Sequence, residues 1–142
     1  MANEIHRAHK WIYDKLAAAA NVTAAVSTRI YRNQAPEGAA YPLVIFNYQS
    51  GSDARGVCAR RLLTLPLFQI KVICKGHPTS AVNTAVDAID TLFQAATAET
   101  SESYVFSSRR EFPVEYVEPR RDTGEIFTHY GGAYRLVIYP SS

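Results

Sequence analysis

The sequence predicts an α+β fold, a mainly antiparallel β-sheet packed with two helices. Three observations carry that reading. Apolar residues recur at spacings of three and four over residues 4–20 and again over 79–96, as on one face of a helix. Between and after these stretches lie runs of alternating or continuous apolar residues with strand character. An Asp122-Thr123-Gly124 turn joins two of the later runs in the manner of a hairpin. No repeat or linker separates a second unit, and residues 1–142 read as one domain.

The elements follow in order. In the first helix Ile5, Ala8, Ile12, Leu16 and Ala19 form the stripe, Asn3 is placed to cap it, and Trp11 and Tyr13 flank it. A further turn over 23–26 precedes a short strand centred on Ile30 and Tyr31. Ala35-Pro36-Glu37-Gly38 then turns the chain into a strand that starts after Pro42. In that strand Leu43, Ile45 and Asn47 point one way and Val44, Phe46 and Tyr48 the other. Both faces are apolar, so one is expected on the core and the other on a helix or a neighbouring subunit. Residues 50–58, with Gly51 and Gly56 and no apolar period, read as a loop.

Pro66 interrupts the next extended stretch, which is therefore an edge strand or two strands meeting at a kink. Its second half alternates, with Phe68, Ile70, Val72 and Cys74 on one side. Thr79 caps the second helix, whose stripe is Val82, Ala85, Val86, Ile89, Leu92, Phe93 and Ala96. Residues 97–103 form a polar loop. Two extended segments follow, the second with Phe112, Val114 and Tyr116 on one face, and Gly131-Gly132 marks a bulge or bend in the last strand.

Composition narrows function. The 142 residues are 47% hydrophobic and 20% charged, with a net charge of +2, too small to argue by itself for nonspecific binding to nucleic acid or membrane. No run approaches the ~20 apolar residues that span a bilayer. Cys58 and Cys74 read as free thiols in a reducing compartment. No serine sits in a nucleophile elbow, and Gly51 and Gly56 lack the Lys-Ser/Thr ending of a phosphate loop. His6 and His9, one turn apart, lack a further ligand at matching spacing and read as an exposed pair. Neither catalysis, a cofactor nor a metal is expected.

Three Arg-Arg pairs remain, 60–61, 109–110 and 120–121. They are solvated strand ends with Glu111 and Glu118 near in sequence, contacts to a partner, or contacts to nucleic acid. Nine tyrosines, many in strands, suit protein interfaces as well as a core.

The ordered combination of Arg29-Ile30-Tyr31, Ala35-Pro36 with Gly38, Tyr41-Pro42 and its strand, the Ser50-Gly51 loop, and Leu67-Phe68-Gln69-Ile70 leading to a helix with Ala85 to Leu92 resembles the tail completion, or tail terminator, proteins of long-tailed bacteriophages and prophages. The likeness covers about residues 4–95. It implies a six-membered ring on the head-proximal end of the tail tube. That ring stops polymerisation and docks a head-side connector or stopper protein, with genomic DNA passing through unread. It further implies a virion component assembled in the host cytoplasm, with no enzyme activity, cofactor or membrane. Val44, Phe46, Tyr48, Ser52, Asp53, Arg55, Arg60, Arg61, Arg120 and Arg121 are the residues expected at subunit or partner contacts. A connector ring of the phage neck and a small nucleic-acid-binding module are the alternatives.

Overall fold

The computed structural model describes residues 3–59 and 61–141. Helices α1 (Glu4–Ala18) and α2 (Ala20–Val26) lead to β1 (Ile30–Arg32) and β2 (Leu43–Arg55). A single 3-10 turn (Val57–Ala59) joins β2 to β3 (Arg61–Lys75). Then come α3 (Ser80–Phe93), β4 (Glu99–Ser101), β5 (Tyr104–Pro119) and β6 (Ile126–Pro140). The strands form one curled sheet in the order β1-β2-β3-β6-β5-β4, antiparallel throughout except that β1 runs parallel to β2. The expected α+β class holds, with three helices where two were expected.

The helices cover one face of this sheet. Ala8, Ile12 and Leu16 of α1 and Val82, Ala85, Ile89 and Phe93 of α3 bury their stripes against Val44, Phe46, Phe68, Ile70, Val72, Leu136 and Ile138. Thr79 caps α3 by accepting a hydrogen bond from the Val82 amide at 3.3 Å. Asn3 makes no side-chain cap. Trp11 lies in the core, not beside it: its ring stacks on Phe106 at 5.0 Å and meets Phe93 edge-on at 5.6 Å. His9 is buried as well, with its ring 4.9 Å from Phe68, so the expected exposed histidine pair is split, His6 alone facing solvent.

Four strand expectations change. Residues 50–55 are not a loop but the distal half of β2, paired with β3 beyond a bulge at Gln49. Glu99–Ser101, expected in a polar loop, is β4. β3 is neither an edge nor broken: Pro66 lies opposite Gly51, between β2 and β6, and the Arg135 guanidinium donates to the neighbouring Leu65 carbonyl at 3.0 Å. Gly131 and Gly132 pair in register on both sides, without a bulge of their own. A Cβ at Gly131 would stand 2.1 Å from the Ile70 carbonyl oxygen and 2.6 Å from the Lys71 Cα, so glycine here is a condition of close strand approach.

Candidate assembly surfaces

Two long hairpins dominate the surface, and the pairing sets them at opposite ends of the sheet. Lys75 lies level with Phe127, near the β5–β6 turn, whereas Thr64, close to the β2–β3 turn, lies level with Ile138 at the far end of β6. The expected contact residues are divided accordingly. Tyr48, Ser52, Asp53, Arg55 and Arg61 line the β2–β3 hairpin, while Arg120 and Arg121 stand exposed at the β5–β6 turn. Arg60 lies outside the described residues.

Val44 and Phe46 do not belong to this surface. They are 0% and 2% exposed, inside the core that α1 covers, so their side chains cannot meet a neighbour while the subunit keeps this packing. The second apolar face of β2 is also accounted for within the chain. Leu43 packs with Ile73 and Phe127, and residues Tyr31, Ala35, Ala39, Tyr41 and Ile45 close over them. The Pro36–Gly38 turn thus folds an arm onto its own sheet, and no neighbouring subunit is needed there.

The β2–β3 hairpin is anchored at its root by charge. The Arg61 guanidinium meets the buried Glu4 carboxylate at 2.7 Å and Asp53 at 3.9 Å, and the Thr64 hydroxyl donates to Asp53 at 3.1 Å. A carboxylate as buried as Glu4 requires such a partner. Tyr48 keeps its ring edge-on to Phe68 at 5.9 Å and is 42% exposed.

The β5–β6 hairpin is packed differently, on the face of the sheet away from the helices. Tyr116 stacks on His129 at 4.3 Å, and the Lys71 ammonium donates to the Tyr116 hydroxyl at 2.7 Å. Burial, and then the Lys71 charge, push the His129 pKa below its ordinary value; Glu118, 3.9 Å away, opposes them. His9 is also lowered, chiefly by burial, against the hydrogen bond its Nδ1 makes to the Ile5 carbonyl at 2.8 Å. His129 had no signal in any motif, and the one-turn spacing of His9 from His6 pointed to an exposed pair and not to burial. The trace of His9 was positional, since it stands four residues after Ile5 on the apolar stripe.

The remaining Arg pair is held within the subunit. Arg110 approaches Asp90 at 3.7 Å and Arg109 approaches Glu111 at 3.7 Å. Asp90 also accepts from the buried Tyr134 hydroxyl at 3.0 Å; burial, and then the Asp90 charge and this hydrogen bond, raise the Tyr134 pKa. Asp90, Arg110 and Tyr134 line the groove between α3 and β5. Among the described residues no three His, Cys, Asp or Glu side chains converge as a metal site would require.

Both flanks of the sheet are partly open. β1 covers only Val44–Phe46 of β2, and β4 covers only Tyr104–Phe106 of β5. Exposed Phe112, Tyr116 and Val117 accompany the open stretch of β5. The chain thus presents a helix-backed sheet with two partly open strand edges. The sequence model of the family described as Tail completion protein gp17 matches residues 10–130, and the chain belongs to that family and so to the structural proteins of phage tails. Among solved structures, a chain in the "Virion of native gene transfer agent (GTA) particle" shares the fold, with a TM-score of 0.65 and 18% identity over 90% of this chain and 91% of that one. A search among curated proteins returns no match.

Proposed function

We propose that this chain, residues 1–142 acting as one unit, is a tail terminator. In that reading it assembles as a homo-hexameric ring on the head-proximal end of a tail tube. The ring ends tube growth and gives the head-side connector a surface to dock on. The observation that carries this reading is membership of the tail completion family over most of the chain, joined to two open edges on opposite flanks of one sheet. A closed ring needs two different patches on each subunit, related by a rotation that closes. Strand edges on opposite flanks meet that requirement, whereas one patch alone would give a dimer. The partners are the tail tube protein, the connector and further copies of the chain. DNA passes through without base contacts, and neither cofactor nor catalysis enters. Assembly takes place in the host cytoplasm and the product is a virion component.

Electron microscopy of a lysate from particles lacking this chain tests the proposal. Overlong tails unattached to filled heads are the expected result. Tails of normal length that fail to join heads would assign the chain to the connector instead, and normal virions would overturn both readings.

A further inference from the structure

Backbone hydrogen bonds fix which groups the two open edges offer. On β5 the Ser108 and Arg110 amides donate outward, to the Ala96 and Gln94 carbonyls. The bulge at Glu111 adds one residue and reverses the alternation. Beyond it the Arg120 amide donates across the hairpin to Glu125, so even-numbered residues face β6. Pro113, Glu115, Val117 and Pro119 therefore turn their backbone groups to the open side. The two prolines lack an N–H there, which spares the β6 ladder and leaves Glu115 and Val117 as the donors of this edge. On β2 the Val44 amide and the Phe46 carbonyl face β1. The bulge between Tyr48 and Ser50 reverses that alternation too, and Gly51 and Asp53 face outward.

From this we infer that β2 of one copy pairs antiparallel with β5 of the next, through Gly51 and Asp53 on one side and Pro119 and Val117 on the other. The inference rests on the ring reading and names its interface. Strand polarity agrees, since the sheet order makes β2 and β5 of a subunit antiparallel, and a neighbour continuing the sheet in the same sense presents the matching direction. The bare stretches are offset in opposite directions. β1 closes the root of β2, and β4 with residues 94–96 closes the root of β5, so a neighbour set level would meet covered edge. Bare edge meets bare edge in the favoured register only when the neighbour slides along the strands by about ten residues, on the order of 33 Å. Such a stagger is what closing a sheet into a barrel requires. Within this geometry Asp53 against Val117 is the favoured register, because the adjacent one sets Asp53 against Glu115, two carboxylates face to face.

The experiment uses full-length chains carrying Cys58→Ser, produced in a lysate of particles that lack the wild-type chain. Asp53→Cys and Val117→Cys chains produced together should give covalent dimers with a short bifunctional thiol reagent, and neither should do so alone. Val117→Pro, which deletes one outward N–H, should fold and lose the ring, while Val117→Thr should keep it. Mixed dimers support the pairing even if Val117→Pro does not fold. Dimers from a single variant, rings without mixed dimers, or normal rings from Val117→Pro would overturn it and leave the ring reading standing. A wild-type chain that forms no ring on tails would remove the ring reading itself, and the pairing with it.

Discussion

Between Tyr48 and Leu63 no described side chain of the β2–β3 hairpin is buried, whereas the β5–β6 hairpin buries Val114, Phe127, Thr128, His129 and Gly131. Both hairpins carry a bulge and both end in an open edge, so their backbones solve the same problem. Their side chains do not. The first is held by its ladder and by one ionic root, and the second is welded to the helix-free face by stacked rings and close backbones. The difference separates two kinds of sensitivity. Changes in the first hairpin should alter contacts and spare the fold, while changes in the second should strike the fold first.

Glycines give the largest contrast. Gly131→Ala should lose at least about 4 kcal/mol or fail to fold, because the new methyl would meet the fixed backbone of β3. Gly51→Ala should cost about 1 kcal/mol, since its nearest obstacle is the movable Tyr48 hydroxyl at 2.9 Å, with the Pro66 Cα at 3.1 Å. Denaturant midpoints decide, and equal losses would end the distinction between the hairpins.

Phe46 and Tyr48 repeat the comparison on one strand. Phe46→Ala should lose about 3–5 kcal/mol of stability. Tyr48→Ala should lose under about 1 kcal/mol while lowering ring yield on tails. Thermal melts beside particle counts test both, and an assembly-competent Phe46→Ala of normal stability would contradict its place in the core.

The ionic root should rank third. Arg61→Met leaves the buried Glu4 carboxylate facing an apolar chain and should cost about 2 kcal/mol, reduced by the partial exposure of Arg61. Arg120→Met, at the other tip, should cost under about 1 kcal/mol, the worth of an exposed guanidinium over Phe127. Urea titrations of the two variants sharpen how differently the hairpins are rooted.

The smallest effect is set by pH. His9 and His129 have folded-state pKa values below their unfolded value, so the unfolded chain binds protons first as pH falls. The neutral forms prevail in both states well above pH ~6.5, where neither residue makes stability depend on pH. Stability should therefore decline as pH falls through about 6.5 toward the lowered folded pKa values. His129→Phe should flatten that decline, and a variant with an unchanged slope would show that His129 takes up its proton as easily folded as unfolded.

How much of this was legible in the chain follows from the range of each interaction. The α3 stripe, its Thr79 cap and the Asp122–Gly124 turn depend on residues within a few positions, and sequence spacing reports them. Pro66 shows the limit. By local rule a proline belongs on an edge, yet β3 is central because Gly51 opposite and the Arg135 side chain accommodate it. Gly131 and Gly132 were legible as special, but close strand approach and a bulge leave the same mark in a sequence. Val44 and Phe46 were legible as apolar, and which of the two β2 faces the helices would cover was not.

The sequence by itself determined the periods, caps and turns, and through them the α+β class and the family pattern. It did so because these features are properties of neighbours along the chain. Only the tertiary structure decided that the arm 33–42 covers the second face of β2, that His9 and Trp11 lie inside, and that two bulges turn the backbone groups of Gly51, Asp53, Glu115 and Val117 outward. Those outcomes depend on which strand lies beside which and in what register. Register is fixed by the sum of packing across the whole sheet and not by any local run of residues.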